Sequence, residues 1–527
     1  MWLQPISAMT LGGWGGVVVY IAGSFACGGG YFHAFPRPTR MKSGGAGARR
    51  RDVGASPVPA TTVRPVAGRR VPPARGPARG GASLLHREPP YPCPPGAARA
   101  ELRRRRAPGR RARGPAYRRV TRPPDYGRGG GVNTNKPLRI GYIYTRPVPS
   151  RETDTQQVLS TVDALGGAGA EVELVLPGSY RRLLGSRAAY DAEVRDFYGL
   201  RHPFRLAPLW TVEPSPIQLE RPAHAAAAAM LARGRRYDLV HTRSRAAVPL
   251  CVALKIPIVF ETYRRLGHDA PKTARMLAGL ARSRYFLGVI THSRQSADSL
   301  AAAGVPRDKL RVLHNGFDPS KFEPRLTVAE ARAAIGLPAT TRVAVYTGNV
   351  QAQKGLDTVL EMAARTPDVS YVIVGGKDKD LAALRDDIAH RGLANVECPG
   401  WRPAAELAPY FYAADVLLIP PTARPLVEHG RTVLPMKVFG YLAAGRPILA
   451  PDLEDLREVL EDGVSACLVA PDDGDAAVAG LRRVLDDPAL AARISAGARA
   501  VAADRTWDAR AEQLITQYRA WLGAAGF

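Results

Sequence analysis

The sequence predicts an α/β protein made of two doubly wound parallel sheets facing each other across a cleft. Three observations predict it. From Leu138 onward, short apolar runs alternate with segments of helical spacing. A turn signal, Asn315-Gly316-Phe317-Asp318, and a linker bounded by Pro319 and Pro324 divide that alternation into two series. The composition also breaks sharply near residue 131: the first 131 residues hold 24 Arg/Lys against 4 Asp/Glu, and the rest hold 50 against 43. With 527 residues of 46% apolar composition, the chain is long enough for two sizeable cores.

In the first series, Leu138 to Tyr144 reads as a strand. A polar loop from Thr145 to Thr153 leads into a helix that carries Val158, Val162 and Leu165 on one face. Glu171 to Leu176 is the second strand, so the unit is βαβ and the sheet is parallel. Further strands are expected at Leu239 to His241, Pro257 to Phe260, Phe286 to Ile290 and Leu310 to Leu313, with helices at Ala225 to Ala232 and Ser293 to Ala303. Pro203 to Pro216 reads as irregular. The second series has strands at Val343 to Thr347, Tyr371 to Val374, Val396 to Cys398, Val416 to Ile419, Pro447 to Ala450 and Ala466 to Val469, alternating with helices. The expected division is 132–316, 317–505, and a terminal helix over 506–527 that packs back on the first half.

Residues 1–131 are expected to be disordered, because an Arg/Pro/Gly/Ala-rich stretch without aliphatic periodicity cannot bury a core. Such a skew is what GC-rich DNA yields when it is read upstream of a true start, and Val132 is the candidate first residue. A genuine basic tail that binds nucleic acid or anionic lipid is the alternative. The uncharged run before Pro36 is not expected to span a membrane, since eight of the twenty residues from Leu11 to Gly30 are glycine. The scattered cysteines form no CxxC pair, which argues against a zinc site or a disulfide framework and for the cytoplasm. The inner face of the membrane is the one membrane location left open.

Two stretches carry phosphate chemistry. In Thr432 to Asp452, Pro435 is placed to open a helix, Gly445 to cap it, and Lys437 adds a mobile positive charge near the helix N-terminus. In Tyr346 to Ala363, Gly348 lets the backbone approach a ligand, and Lys354 stands where a helix begins near Gly355. The spacing is not a Walker A loop, and Gly166 to Ala170 follows a helix, so it is not a dinucleotide fingerprint.

LRVLHNGFDPSKF, VYTGNVQAQKGLDTVLEMA, YVIVGG, VECPGWRPAAELAPYFYAADVLLIPP and YLAAGRPILAPDLEDLREVLEDGVSACLVAPDD occur in one order and spacing. In this the chain resembles the retaining, nucleotide-sugar-dependent glycosyltransferases of family 4. The resemblance implies a GT-B fold with the donor mainly on the second domain, the acceptor mainly on the first, and no cofactor or catalytic metal. By position, Lys354 would contact the donor diphosphate, and Gly348 and Asn349 would line that turn. Backbone N–H groups of Val433 and Leu434, after Thr432, would cap the distal phosphate, and Gly375 and Gly376 would lie near the base.

The sequence also departs from the family pattern. Relatives commonly carry two glutamates, one gripping the ribose, where this chain has Thr432 and Gly440. Lys437 takes over part of the donor contact if it faces the cleft, and is a surface charge if it does not. Where relatives have a histidine after the strand ending in FET, this chain has Tyr263; Glu261, at the strand's carboxyl end, is expected to face the cleft as a catalytic group. His241 and Arg243 are expected acceptor-side contacts. His292 is read as ordering the following helix start with Ser293, and His314 as packing at the domain junction. The expected partners are a nucleotide-sugar donor and an unknown acceptor (a glycan, a lipid-linked sugar or a small molecule), and not nucleic acid. A catalytically silent sugar-nucleotide-binding module and a GT-B isomerase or phosphorylase are the alternatives.

Overall fold

The structure is a computed structural model that describes residues 136–179, 184–211, 220–428 and 434–527. The expectations for residues 1–131 and for Val132 lie outside the described residues.

The first sheet holds β1 (Arg139–Ile143), β2 (Glu171–Gly178), β3 (Arg205–Trp210), β4 (Leu239–Thr242), β5 (Ile258–Thr262), β6 (Phe286–Thr291) and β7 (Leu310–Val312). Their order is β3-β2-β1-β4-β5-β6-β7, with every pairing parallel. The second sheet holds β8 (Arg342–Thr347), β9 (Val369–Val374), β10 (Val396–Gly400), β11 (Val416–Leu418), β12 (Ile448–Pro451) and β13 (Cys467–Val469). Its order is β10-β9-β8-β11-β12-β13, again parallel throughout. Near-continuous apolar strands such as Phe286–Thr291, buried at every position, are what a parallel sheet covered on both faces requires.

Arg205–Trp210, within the stretch expected to be irregular, is a strand. It pairs only with β2 at the sheet edge, and there Pro208 costs no ladder hydrogen bond on the free side.

The chain crosses between the two sheets at Phe317 and again at Thr506. The two crossings bind each other, with Phe317 N to Arg505 O and Trp507 N to Phe317 O both at 3.0 Å. Gly316 is required at this crossing, because a Cβ there would lie 2.6 Å from the Thr506 carbonyl carbon. The final helix, Trp507–Ala524, then packs on the first domain, burying Trp507, Leu514, Tyr518 and Trp521 in the core that also holds Val158, Val162 and Leu165 of the helix Thr153–Gly167. His314 bonds Glu458 at 2.9 Å, and Glu458 also accepts the Arg294 N–H at 2.7 Å, so one carboxylate ties the two sheets' loops together.

Candidate active site

In each sheet the strand order reverses beside the first strand, between β1 and β4 and between β8 and β11. Loops leaving the carboxyl ends at these reversals splay apart, which makes the natural ligand crevice of such sheets. Here they face each other across a cleft of about 690 Å³.

The second domain's wall is built on glycine. Gly348 and Gly375 have φ of 134° and 121°, and a Cβ on Gly375 would stand 2.2 Å from the Gly348 carbonyl oxygen. The turns after β8 and β9 therefore pass backbone to backbone, held by Gly348 N to Val374 O at 2.8 Å. Gly376, with φ 93°, closes against Val350. Beyond Asn349 the chain makes a single 3₁₀ turn, Ala352–Lys354, and enters the helix Leu356–Arg365, which places Lys354 in the cleft wall at the helix entrance.

Lys437 faces the same turn. It is the first residue of the helix Lys437–Ala444, and its Nζ lies 3.5 Å from the centre of the Tyr346 ring. Burial, and then the charge of Lys354, hold its ammonium well below the usual lysine range. Tyr441, one turn further on, accepts the Thr347 N–H at 2.9 Å and so pins this helix to the end of β8. Leu434 is buried and lines the cleft; Thr432 and Val433 lie outside the described residues. Gly440 borders the cleft beside Phe411 and Phe322, where a Cβ would have ordinary contacts of 3.5–3.7 Å.

The first domain's wall carries Arg146, Arg151, Gln157, Arg243, Tyr263 and His292. The Arg243 guanidinium donates to Gln157 Oε1 at 2.5 Å and lies 5.0 Å from the Tyr263 ring centre. Arg151 stacks over Trp401 at 4.5 Å, and Lys377 pairs with Glu152 at 2.6 Å, so both walls touch at the rim.

Two expected site residues are displaced from the cleft. Glu261 and His241 are fully buried side chains that do not line it. Glu261 Oε1 receives Arg510 at 2.5 Å and His292 Nε2 at 2.9 Å, and Oε2 receives the Tyr142 hydroxyl at 2.9 Å and His241 Nε2 at 3.2 Å. Burial by itself would raise this carboxyl, but Arg510 and the histidine hydrogen bonds hold it well below the carboxylate range. The cause of the displacement is the last helix. It brings Arg510 and Tyr518 across 249 and 277 residues of sequence to cover this face of the sheet.

Ser293 does cap the helix Arg294–Ala302, accepting from Ser296 N, while His292 itself reaches the cleft wall. Burial lowers its ring to about 4, so it stands neutral. The exposed His268 side chain, among the described residues, bonds only the neighbouring Asp269. Among the described residues no three His, Cys, Asp or Glu side chains gather as a metal site, and no helix is long and apolar enough to cross a membrane.

Family models agree with this geometry. One described as "Glycosyl transferases group 1" matches residues 341–487, and one described as "Glycosyltransferase Family 4" matches residues 155–321. The chain belongs to the group 1 glycosyltransferases. This glycosyltransferase is 29% identical over 320 residues to a D-inositol 3-phosphate glycosyltransferase of Thermobispora bispora, covering 54% of this chain and 70% of that one. It is 32% identical over 219 residues to the protein of that name from Mycobacterium avium, where the match covers 40% of this chain and 49% of the relative. In three dimensions it is similar to sucrose-phosphate synthase of Thermosynechococcus elongatus, with TM-score 0.60, 19% identity, and 73% and 100% of the two chains covered. It is also similar to Anabaena HepE, solved in complex with UDP and glucose, with TM-score 0.56, 18% identity, and 73% and 99% covered. These two likenesses establish the GT-B fold.

Proposed function

We propose that this glycosyltransferase moves a sugar from a nucleoside diphosphate donor to an acceptor hydroxyl with retention of configuration and without a catalytic metal. The observation that carries the reading is the pair Lys354 and Lys437 at one glycine turn of the interdomain cleft. Two cations beside exposed backbone meet the main electrostatic demand of the reaction, stabilising the departing diphosphate. The bond from the anomeric carbon to the diphosphate oxygen breaks, the acceptor oxygen bonds that carbon on the same face, and the leaving phosphate takes the acceptor's proton. Glu261, buried and paired with Arg510, has no part as a nucleophile. The base lies near Gly375 and Gly376 in this reading, and the UDP complex of HepE favours uridine.

Arg151 and Arg243, beside an Arg146 that is paired with Asp154 at 3.1 Å, put cationic groups on the acceptor wall, which favours an acceptor bearing a phosphate or carboxylate; the inositol-phosphate names of the relatives point the same way. The reading places the reaction in the cytoplasm. A module that binds sugar nucleotide without transfer is the second reading, favoured by glycine at 440. Lys437 facing the turn weighs against it. A thermal-shift panel of UDP-, GDP- and dTDP-sugars tests the donor class, since a ligand at about 100 times its Kd adds about 2.7 kcal/mol. If turnover follows, Lys354→Ala should lower it by at least about 10²; unchanged turnover would sink the assignment.

A further inference from the structure

Two histidines converge on Glu261, and their hydrogen bonds fix where each ring proton sits. A carboxylate paired with Arg510 at 2.5 Å accepts and does not donate, so both His241 Nε2, at 3.2 Å, and His292 Nε2, at 2.9 Å, must carry hydrogen. The Nδ1 of each ring is then a lone-pair acceptor. His241 spends its Nδ1 internally, where the Tyr518 hydroxyl donates at 2.5 Å. Nδ1 of His292 receives no hydrogen bond among the described residues, and it is not among the buried polar atoms sealed without a partner, on a ring that borders the cleft.

The neighbours hold that ring in place. Glu261 Oε1 is the anchor; the Gln157 NH2, oriented by Arg243 donating to the amide oxygen, points at the same carboxylate oxygen from 3.5 Å and, beside a protonated Nε2 at 3.1 Å, makes no hydrogen bond to the ring. Tyr263 lies roughly parallel to the His292 ring, with centres 6.3 Å apart. A neutral lone pair is a poor match for phosphate, which has no proton to give at neutral pH, and a good match for a hydroxyl. The arginines and lysines of this cleft offer donors alone, and among its described lining residues His292 is the ring nitrogen left as an acceptor for an uncharged donor.

We propose that His292 is a substrate-contacting residue of this cleft, accepting through Nδ1 a hydrogen bond from a carbohydrate hydroxyl, and that Glu261, fixed by Arg510, is the positioning residue that sets its tautomer. The inference rests on the sugar-transfer reading of the same cleft. It places the phosphates at Lys354 and Lys437 and an uncharged hydroxylated group at His292, on the facing wall.

Calorimetry with UDP and with UDP-glucose, on the full chain and on His292→Ala, tests the contact. If the hydroxyl belongs to the donor sugar, UDP-glucose weakens by about 5–20-fold while UDP is unchanged, the size of one lost hydrogen bond. If it belongs to the acceptor, both affinities hold and the KM for D-inositol 3-phosphate, used as the acceptor probe, rises by a similar factor. Unchanged affinities and unchanged KM in a folded variant overturn the proposal, as does equal weakening of UDP and UDP-glucose. Wild-type protein that binds neither ligand refutes the donor reading instead. Independently of any variant, nitrogen NMR at pH 7 should show His292 neutral with its proton on Nε2; a charged ring or an Nδ1–H tautomer overturns the proposal.

Discussion

Lys437 holds its ammonium over the ring of Tyr346, 3.5 Å from the centroid, at the end of the first strand of the second sheet. The ring offers the cation an attractive face but no counter-charge, and Lys354 adds repulsion. A lysine kept in that state is poised for an anion.

Lys437→Met keeps the side-chain length and removes the charge. The variant should fold normally and bind UDP about 10–100-fold more weakly, the loss expected for a charge-assisted contact. In the wild type the fraction of Lys437 that burial and Lys354 hold as the neutral amine should take up a proton as the diphosphate binds, because the ligand's charge raises what they had lowered. Calorimetric enthalpies in buffers of different ionisation heat measure that uptake, and affinity should fall as pH rises through the lysine's bound-state range.

Two glycines of the same wall should respond oppositely to alanine. At Gly375 the new Cβ would meet the Gly348 carbonyl oxygen at 2.2 Å with φ at 121°, so Gly375→Ala should cost more than about 2 kcal/mol and disrupt nucleotide binding. At Gly440 the nearest atoms are 3.5 Å away within a helix, so Gly440→Ala should stabilise by roughly 0.5–1 kcal/mol. Denaturant midpoints of the two variants check both.

The sheets were legible because parallel strands are local, nearly continuous apolar runs. Arg205–Trp210 was not, since an edge strand tolerates the proline and the polar start that hide it. That Gly348, Lys354 and Lys437 share one cleft wall was legible too, because they lie beside strand ends that periodicity locates. Glu261 and His241 were misplaced for the opposite reason. Their burial depends on Arg510 and Tyr518, and no local pattern shows which strand face a helix from the far end of the chain will cover. The cleft role of His292 had one local signal, its position just past the last residue of an apolar strand, and capping by Ser293 masked it.

Removing Arg510 should be costly. Arg510→Met leaves Glu261 buried and anionic, so the variant should lose roughly 3–5 kcal/mol of stability. Adding Glu261→Gln should restore much of that loss. Chemical denaturation of the two single variants and the double variant measures the coupling; additive losses would show that the two groups do not act as a pair.

Acid should loosen the first domain through two buried histidines. His224 and His292 are each lowered from 6.5 to about 4 by burial, although hydrogen bonds to the Tyr144 carbonyl and to Glu261 oppose the shift. Between those values the unfolded chain binds protons that the folded chain does not, so their stabilising contribution is complete above about 6.5 and is lost as pH falls towards about 4. Each shift corresponds to roughly 3 kcal/mol. Unfolding free energies across this range should fall with acid, and His224→Gln should flatten the profile.

The account stands on Lys354 as a diphosphate ligand, and calorimetric titration of UDP into the wild type and Lys354→Ala tests it most directly. One UDP per chain in the wild type, weakened at least about tenfold by the substitution, is the predicted result. Equal affinity in the two proteins, or no UDP binding by the wild type at millimolar concentration, would contradict it.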